Sequence, residues 1–353
     1  MSAQPGGGDP AATDRLDELP KAEIHLHLEG SIDLETLLAL RARRGDDHGP
    51  DARRRLGALY RHRDFPDFLA HFRDLCADLR EPDDFALATS RLAARLARDN
   101  VRHAEVMCSV GIFARRGLPP GEILDAIGAA AAEAEAAGGP RLRFLLDGVR
   151  QWGPPGMEEL VEIAAAARGT RVIGIGMGGD ESAWSAGAFA DVFRAARRLG
   201  LRTTAHAGEF DGPRSVWQAI EVLEVDRIGH GIRALEDAEL VRTLVRRRLP
   251  LECCPTSNLR TRVAASWQAH PIAALHRAGA FVTVNSDDPA LFDTTLGDEW
   301  RALGGRMGLA RDDVRRIGRN TIEAAFLDET GRAALLAAYD AAALQVFAPG
   351  ENA

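Results

Sequence analysis

Two histidines, His25 and His27, stand two positions apart in a short aliphatic run near the start of the chain. In a β-strand, the side chains of residues i and i+2 leave the same face, so both imidazoles can point at one ion. Imidazole binds zinc, copper, iron and nickel, and the pair alone therefore does not select the metal. Two hydrogen-bonded histidines at a strand end would have the same spacing, so the remaining ligands must come from elsewhere in the chain.

Three further polar clusters follow predicted strands much later in the chain. They are His206-Ala207-Gly208-Glu209, Gly229-His230-Gly231 and Ser286-Asp287-Asp288-Pro289. Three imidazoles and one carboxylate would hold a divalent ion such as zinc, and the predicted ligands are His25, His27, His206 and Asp287. A water molecule on such an ion loses a proton near neutral pH. The predicted catalytic groups are Glu209 as proton carrier, with His230 and Asp288 orienting the water. These residue types indicate metal-assisted hydrolysis.

Strand and helix patterns alternate over most of the chain. The first predicted strand holds His25 and His27, and the other seven span residues 101–107, 141–149, 171–177, 201–206, 227–230, 250–254 and 281–286. Repeated β-then-α units indicate a parallel sheet covered by helices, and eight units predict an α/β fold, a (β/α)₈ TIM barrel with additional peripheral helices. Functional residues of such barrels lie at the C-terminal ends of the strands, so all four polar clusters are expected at one rim.

A glycine pattern in the fourth predicted strand, Gly174-x-Gly176-x-x-Gly179, formally matches the dinucleotide-binding fingerprint. Its first glycine falls inside the strand, and Asp180 and Glu181 follow where a pyrophosphate would need a helix N-terminus free of acids. We therefore predict no dinucleotide site in this segment.

The composition of the 353-residue chain fits one large globular domain, with 46% hydrophobic residues and a formal net charge of −8. We expect a flexible tail over residues 1–17 and a single barrel domain over residues 18–353. The negative charge and the dispersed arginines argue against nucleic acid or a membrane surface as partner. Four cysteines without a C-x-x-C pair, no signal peptide and no long apolar run lead us to expect a cytoplasmic protein.

Together with Glu29-Gly30-Ser31, the four clusters closely resemble the motif set of the adenosine deaminase family, in order from about residue 19 to about residue 330. The resemblance implies an amidohydrolase barrel with one Zn²⁺ per chain that replaces the amino group of a small-molecule 6-aminopurine nucleoside by oxygen. It assigns to zinc His25, His27, His206 and Asp287. It also implies that Glu209 protonates N1 of the purine, while His230 and Asp288 position and activate the attacking water.

The resemblance further implies residues that bind the purine. Gly179 would offer its backbone N–H to the base. Phe68, Leu69 and Phe72 share one helical face and would close over the base, although the same spacing also fits plain core packing.

The substrate is the least determined part of the resemblance. Glu29 stands where adenosine deaminases usually carry Asp, whereas adenine deaminases share the Glu but lack the run Gly179-Asp180-Glu181. The segments 149–153 and 173–181 look most like the aminodeoxyfutalosine deaminases of menaquinone synthesis, whose nucleoside substrate carries a benzoate. We therefore favour 6-amino-6-deoxyfutalosine, then adenosine, then adenine. Arg150 would bind the benzoate or form an ion pair at the rim, and Trp152 would stack on a ligand ring or simply pack.

Two other kinds of function could use a metal-binding barrel of this type. A phosphoester or lactone hydrolase that bridges two metals with a carboxylated lysine is excluded, because Lys21 is the last lysine of the chain. A catalytically silent zinc-binding or ligand-binding barrel would be favoured if Glu209, His230 or Asp288 were missing, and all three are present.

Overall fold

The computed structural model describes residues 15–347. Eight parallel strands follow one another around the sheet in sequence order. They are β1 (Lys21–His27), β2 (Val101–Cys108), β3 (Arg141–Val149), β4 (Val172–Gly178), β5 (Arg202–Ala207), β6 (Arg227–His230), β7 (Leu251–Cys253) and β8 (Val282–Val284). Each of the eight strands expected from the sequence is present, with ends that differ by at most a few residues.

Backbone hydrogen bonds close the sheet between its first and last strands. Just beyond β8, the amide of Asp287 donates to the carbonyl of His25 (3.1 Å), and the amide of His27 donates to the carbonyl of Asp287 (2.8 Å). Earlier along both strands, the amide of Ile24 donates to Oδ1 of Asn285 (3.0 Å). The predicted TIM barrel is confirmed, and its closure places Asp287 beside the two histidines of β1.

Helices cover the outside of the barrel and its two ends. Within residues 15–347 they are α1 (Leu34–Arg43), α2 (Pro50–Leu56), α3 (Phe65–Cys76), α4 (Pro82–Arg98), α5 (Val110–Ala114), α6 (Pro120–Ala136), α7 (Gly153–Ala166), α8 (Ala190–Arg198), α9 (Pro213–Gln218), α10 (Ala238–Arg247), α11 (Pro255–Arg260), α12 (Ile272–Arg277), α13 (Leu296–Gly305), α14 (Arg311–Ala324) and α15 (Glu329–Val346). In this part of the chain no helix combines the length and the apolar character needed to span a bilayer. Most of the predicted flexible tail, residues 1–14, lies outside the described residues, and Leu16 is buried in a short 3₁₀ helix.

A buried group of charges connects three strands inside the barrel. The guanidinium of Arg227 on β6 donates to Oε1 of Glu252 on β7 (2.5 Å) and lies 2.7 Å from Oε2 of Glu105 on β2. All three side chains are at most 1% exposed, and the guanidinium also lies over the ring of Phe326, 3.6 Å from its centroid. Buried charges of this kind are tolerated because each is paired, and removing one partner leaves the others uncompensated.

The substitution Arg227→Met should therefore destabilise the protein strongly. It leaves the carboxylates of Glu105 and Glu252 buried without their cation, which costs about 3 to 5 kcal/mol for a broken buried pair. The measurement is the free energy of unfolding in urea, made with chelator present so that metal binding does not contribute. Arg198→Met, at an exposed position on α8, is the matched control. Equal stability of the two variants would contradict this role of Arg227.

Candidate active site

The residues predicted to bind metal meet at the C-terminal ends of the strands. His25 and His27 lie at the end of β1, His206 near the end of β5, and Asp287 shortly after β8. The ring centroid of His206 lies 4.7 Å from that of His25 and 5.6 Å from that of His27. Oδ1 of Asp287 lies 3.6 Å from Nε2 of His25 and 3.4 Å from Nε2 of His27. The three histidines thus offer ring nitrogens within 4.8 Å of one another, and Asp287 lies beside two of them.

The ring nitrogens of this cluster fit a bound metal ion. Nε2 of His25 and Nε2 of His206 are buried and have no hydrogen-bond partner in the protein. Burial lowers the pKa of His206 well below its usual value and that of His27 to about 4, so both rings are neutral and present lone pairs. Unpaired buried polar atoms are costly, and a cation coordinated by these side chains would satisfy them.

Glu252 fixes the orientation of the His25 ring. Its Oε2 lies 2.7 Å from Nδ1 of His25 and accepts a hydrogen bond from Thr204 (3.0 Å). Because the carboxylate accepts a hydrogen bond from Nδ1, a ring proton must lie on Nδ1. Nε2 then faces the position where the predicted metal ligands meet. Although burial opposes protonation, the nearby Asp287 carboxylate and the hydrogen bond to Glu252 raise the pKa of His25 to about 10, so this part of the site favours positive charge.

The predicted catalytic residues surround the same cluster. Oε2 of Glu209 lies 3.4 Å from Nε2 of His230, which itself lies 3.8 Å from Oδ2 of Asp287. The amide nitrogen of Asn258 lies 3.4 Å from Glu209 and 3.3 Å from Nδ1 of His230. Burial, reinforced by the nearby Asp287 carboxylate, raises the pKa of Glu209 well above its usual range, while burial lowers that of His230 to about 3. A carboxyl that favours its proton and an imidazole that stays neutral therefore lie side by side.

The backbone around these residues is shaped to aim them. His230 has φ of 58° and Asp287 has φ of 65°, in the left-handed region that residues other than glycine seldom adopt. Such conformations persist only where the surrounding structure enforces them, and they concentrate at functional sites. At Gly30, an added Cβ would lie 1.7 Å from Oδ1 of Asp288, so glycine is needed there for Asp288 to enter the site.

Glu181, which follows β4, holds the loop that carries Glu209. Its carboxylate accepts hydrogen bonds from the amides of four consecutive residues, Gly208 (2.6 Å), Glu209 (3.0 Å), Phe210 (2.8 Å) and Asp211 (2.9 Å). One carboxylate therefore satisfies four backbone donors and fixes the position of Glu209 relative to β4.

A cavity of about 710 Å³ opens next to the cluster. Gly179 and Trp152 line it, and one wall is the face of α3 that carries Phe68, Leu69 and Phe72. The ring of Phe68 also stacks on Phe292, with centroids 4.8 Å apart. The aromatic face of α3 therefore packs against the barrel and covers the cavity at the same time.

Two of the predicted substrate-binding residues, Arg150 and Glu29, do not line this cavity. Arg150 is 1% exposed, and its guanidinium donates to the backbone carbonyls of Glu181 (3.3 Å), Trp184 (3.4 Å) and His206. The structure thus places Arg150 behind the wall, where it holds strand ends and does not reach a substrate carboxylate. Glu29 is fully buried and accepts from the amide of Ser109 (2.9 Å), and burial raises its pKa to about 7.

Three residues of the site were missed by the sequence analysis, namely Glu252, Asn258 and Asp147. Asp147 on β3 lines the cavity with Oδ2 3.9 Å from Nδ1 of His27, and burial raises its pKa to about 8. It uses space that Gly176 and Gly178 leave free, since a Cβ on either glycine would lie within 2.9 Å of its carboxylate. In the sequence, Asp147 and Glu252 could have been recognised as charged residues inside buried strands. Asn258 has no comparable sequence feature.

Residues 20–342 match the model of the family described as adenosine deaminase. The chain belongs to the adenosine deaminase family. The expected family is thereby confirmed, and its members are metal-dependent hydrolytic deaminases that act on small purine compounds. The chain is 36% identical to aminodeoxyfutalosine deaminase of Streptomyces avermitilis over 324 residues, covering 91% of this chain and 90% of the relative. It is 38% identical to adenine deaminase of Streptomyces coelicolor over 330 residues, covering 93% and 97%.

The fold agrees with that of solved members. A crystal structure of an amidohydrolase from Burkholderia ambifaria with bound zinc superposes with a TM-score of 0.87 at 28% identity, covering 97% of this chain and 96% of that one. Because two sequence relatives of nearly equal similarity carry different substrate names, similarity alone does not select the substrate of this deaminase-family chain.

The substitution Glu252→Gln should weaken metal binding, and it should also lower the free energy of unfolding because it removes one of the two carboxylates paired with Arg227. It removes the charge that holds the proton on Nδ1 of His25, and changes at such supporting residues lower metal affinity about 10- to 100-fold. The measurement is competition for zinc against a chromophoric chelator. Glu299→Gln is the control, because Glu299 is equally buried but bonds to Thr256 and Thr294. Wild-type zinc affinity in Glu252→Gln would show that this hydrogen bond does not orient the ligand.

Proposed function

We propose that this protein is a zinc-dependent hydrolytic deaminase that converts a 6-aminopurine nucleoside into the 6-oxopurine nucleoside and ammonia. The observation that carries the proposal is the meeting of unpaired imidazole nitrogens and Asp287 beside Glu209, whose pKa is raised by burial. This cluster lies at a cavity of about 710 Å³, a size in the range of small-molecule sites.

Zinc is the proposed metal, held by His25, His27, His206 and Asp287. Nitrogen and carboxylate ligands suit zinc, and the similar amidohydrolase from Burkholderia ambifaria contains it. When bound, zinc lowers the pKa of a water molecule far enough to supply hydroxide near neutral pH.

Glu209 is the proposed proton donor to N1 of the purine. Its raised pKa keeps a proton on the carboxyl, and the amide of Asn258 lies close enough to orient it. Transfer of that proton to N1 draws electron density from C6 and makes this carbon electrophilic.

His230 and Asp288 position the water that attacks C6. His230 is neutral because burial lowers its pKa to about 3, so its uncharged ring can orient the water as the oxygen bonds to C6. The C6–N bond then breaks. One proton of the water leaves with the amino group as ammonia. The other returns to Glu209 and replaces the proton that Glu209 delivered to N1.

The remaining predicted contacts would hold the purine. The amide of Gly179 is proposed to donate to the base from the cavity wall, where φ of +90° suits glycine. Phe68, Leu69 and Phe72 would cover the base and exclude bulk water, which strengthens the polar interactions at C6.

The favoured substrate is 6-amino-6-deoxyfutalosine, which would place the protein in menaquinone synthesis. The similarity to aminodeoxyfutalosine deaminase of Streptomyces avermitilis supports it, and so does a cavity that extends well beyond the metal cluster. Adenosine is the next candidate. Adenine is supported by the similarity to adenine deaminase of Streptomyces coelicolor and by the glutamate at position 29.

The substitution Glu209→Gln should abolish turnover while leaving zinc bound. The amide keeps the size of the side chain but has no proton to transfer, and losing such a group costs about 10²- to 10⁴-fold in rate. The measurement combines ammonia release with zinc content by elemental analysis. Asp287→Ala is the comparison, because it removes a proposed ligand and should lose zinc as well as activity. Undiminished turnover of Glu209→Gln at full zinc occupancy would rule out the proposed donor.

A further inference from the structure

Charge is distributed unevenly around the cavity. The side carried by the segments after β5 and β8 contributes Glu209, Asp287 and Asp288. The lining also contains three arginines that play no part in the proposed chemistry. They are Arg73 on α3, and Arg115 and Arg116, which directly follow α5.

The strand order places these arginines away from the catalytic groups. The segment with Arg115 and Arg116 follows β2, and Arg73 lies between β1 and β2. In a barrel whose eight strands follow in sequence order, the ends of β2 and β3 lie across the axis from those of β6 and β7. A ligand whose purine edge meets Glu209 and His230 therefore has its far end directed toward the arginines.

The guanidinium of Arg115 is supported by a neighbouring ring and remains available to bind an anionic group. Its Cζ lies 4.1 Å from the centroid of the Trp152 ring, so the aromatic face supports the guanidinium. Its nearest carboxylate is that of Glu159 at 3.4 Å, but the two side chains are 43% and 64% exposed, and exposed pairs of this kind contribute little. A planar guanidinium so arranged can bind a carboxylate with two parallel hydrogen bonds.

The neighbouring arginines add positive charge at the same end of the cavity. Arg116 donates to the carbonyls of Cys76 (2.6 Å) and Ala77 (3.3 Å), which ties its guanidinium to the end of α3. Two further carboxylates line the cavity, those of Asp147 beside His27 and of Asp180 after β4, and neither is paired with Arg115 or Arg116. The positive charge of the two arginines is thus not neutralised from within the cavity.

The wall near these arginines is apolar. Leu69 and Phe72 on α3 and Ile112 on α5 line the cavity together with the arginines. One face of the Trp152 ring is taken by Arg115, so that face supports the cation and does not stack on a ligand ring. An apolar segment of a ligand would lie along this wall and end at the guanidinium.

We propose that Arg115, with Arg116 and Arg73 beside it, forms a subsite for a carboxylate at the end of an apolar substituent on the ribose of the purine nucleoside. The subsite rests on the proposed function for the placement of the purine ring. It names Arg115, and not Arg150, as the residue that selects substrates carrying an anionic tail.

Binding of 6-oxo compounds to the zinc-loaded protein tests the subsite without requiring turnover. Isothermal titration calorimetry compares futalosine, whose ribose bears a benzoate, with its neutral methyl ester, with inosine and with inosine 5′-monophosphate. The wild type should bind futalosine most tightly. Arg115→Gln should bind futalosine about 10- to 100-fold more weakly, as expected for loss of a charge-assisted pair, and should bind the ester as the wild type does.

The matched control is Arg102→Gln, which alters an exposed arginine at the start of β2, at the other end of the barrel. Thermal unfolding of both variants at the wild-type temperature excludes a general loss of structure.

The subsite would be overturned if the wild type bound futalosine and its ester with equal affinity, or if Arg115→Gln left the ratio of these two affinities unchanged. Failure of all four compounds to bind would also overturn it. Preference for the monophosphate would overturn its assignment to a carboxylate. Futalosine binding through Arg115, without ammonia release from any 6-aminopurine, would leave the subsite intact and contradict the proposed deaminase function.

Discussion

The carboxylate of Glu252 is shared between Arg227, 2.5 Å from one oxygen, and His25, 2.7 Å from the other. This pair of bonds connects the charged interior of the barrel to the first of the proposed metal-binding histidines. Glu252 keeps its negative charge because burial, which opposes ionisation, is outweighed by Arg227 and His25, and these hold its pKa below the usual value. The orientation of His25, and with it the geometry of the proposed metal ligands, therefore depends on a charge network assembled from β2, β6 and β7.

Closure of the barrel and formation of the site are the same structural event. The backbone bonds that join β1 to the segment after β8 run through His25, His27 and Asp287 themselves. Burial then separates the roles of the carboxylates. It helps to raise the pKa of Glu209 well above its usual range, whereas the pKa of Asp287 is held well below its usual range, against the effect of burial, chiefly by His25. A carboxyl that favours its proton and an ionised carboxylate thus coexist in one small volume.

The sequence was sufficient to predict the fold and the meeting of the motif-bearing residues at one rim of the barrel. His25, His27, His206, His230 and Asp287 come from strand ends, where the order of strands alone brings them together. Glu252 and Asn258 have no motif, and only the packing of β7 and α11 shows that they touch the site. The two arginines illustrate the limit most clearly. Arg150 begins a 3₁₀ turn that directs its side chain into the wall, while Arg115 follows a short helix that leaves it in the cavity, and spacing does not distinguish these outcomes.

The proposed reaction is deamination of a 6-aminopurine by Glu209 beside a metal that these histidines and Asp287 would hold. The most direct measurement is ammonia release and the accompanying change in purine absorbance for the zinc-loaded protein, with 6-amino-6-deoxyfutalosine, adenosine and adenine assayed side by side. The account predicts one ammonia per 6-oxopurine formed, and the highest kcat/KM for the nucleoside that carries the carboxylate. Absence of ammonia from all three compounds at full zinc occupancy would contradict it.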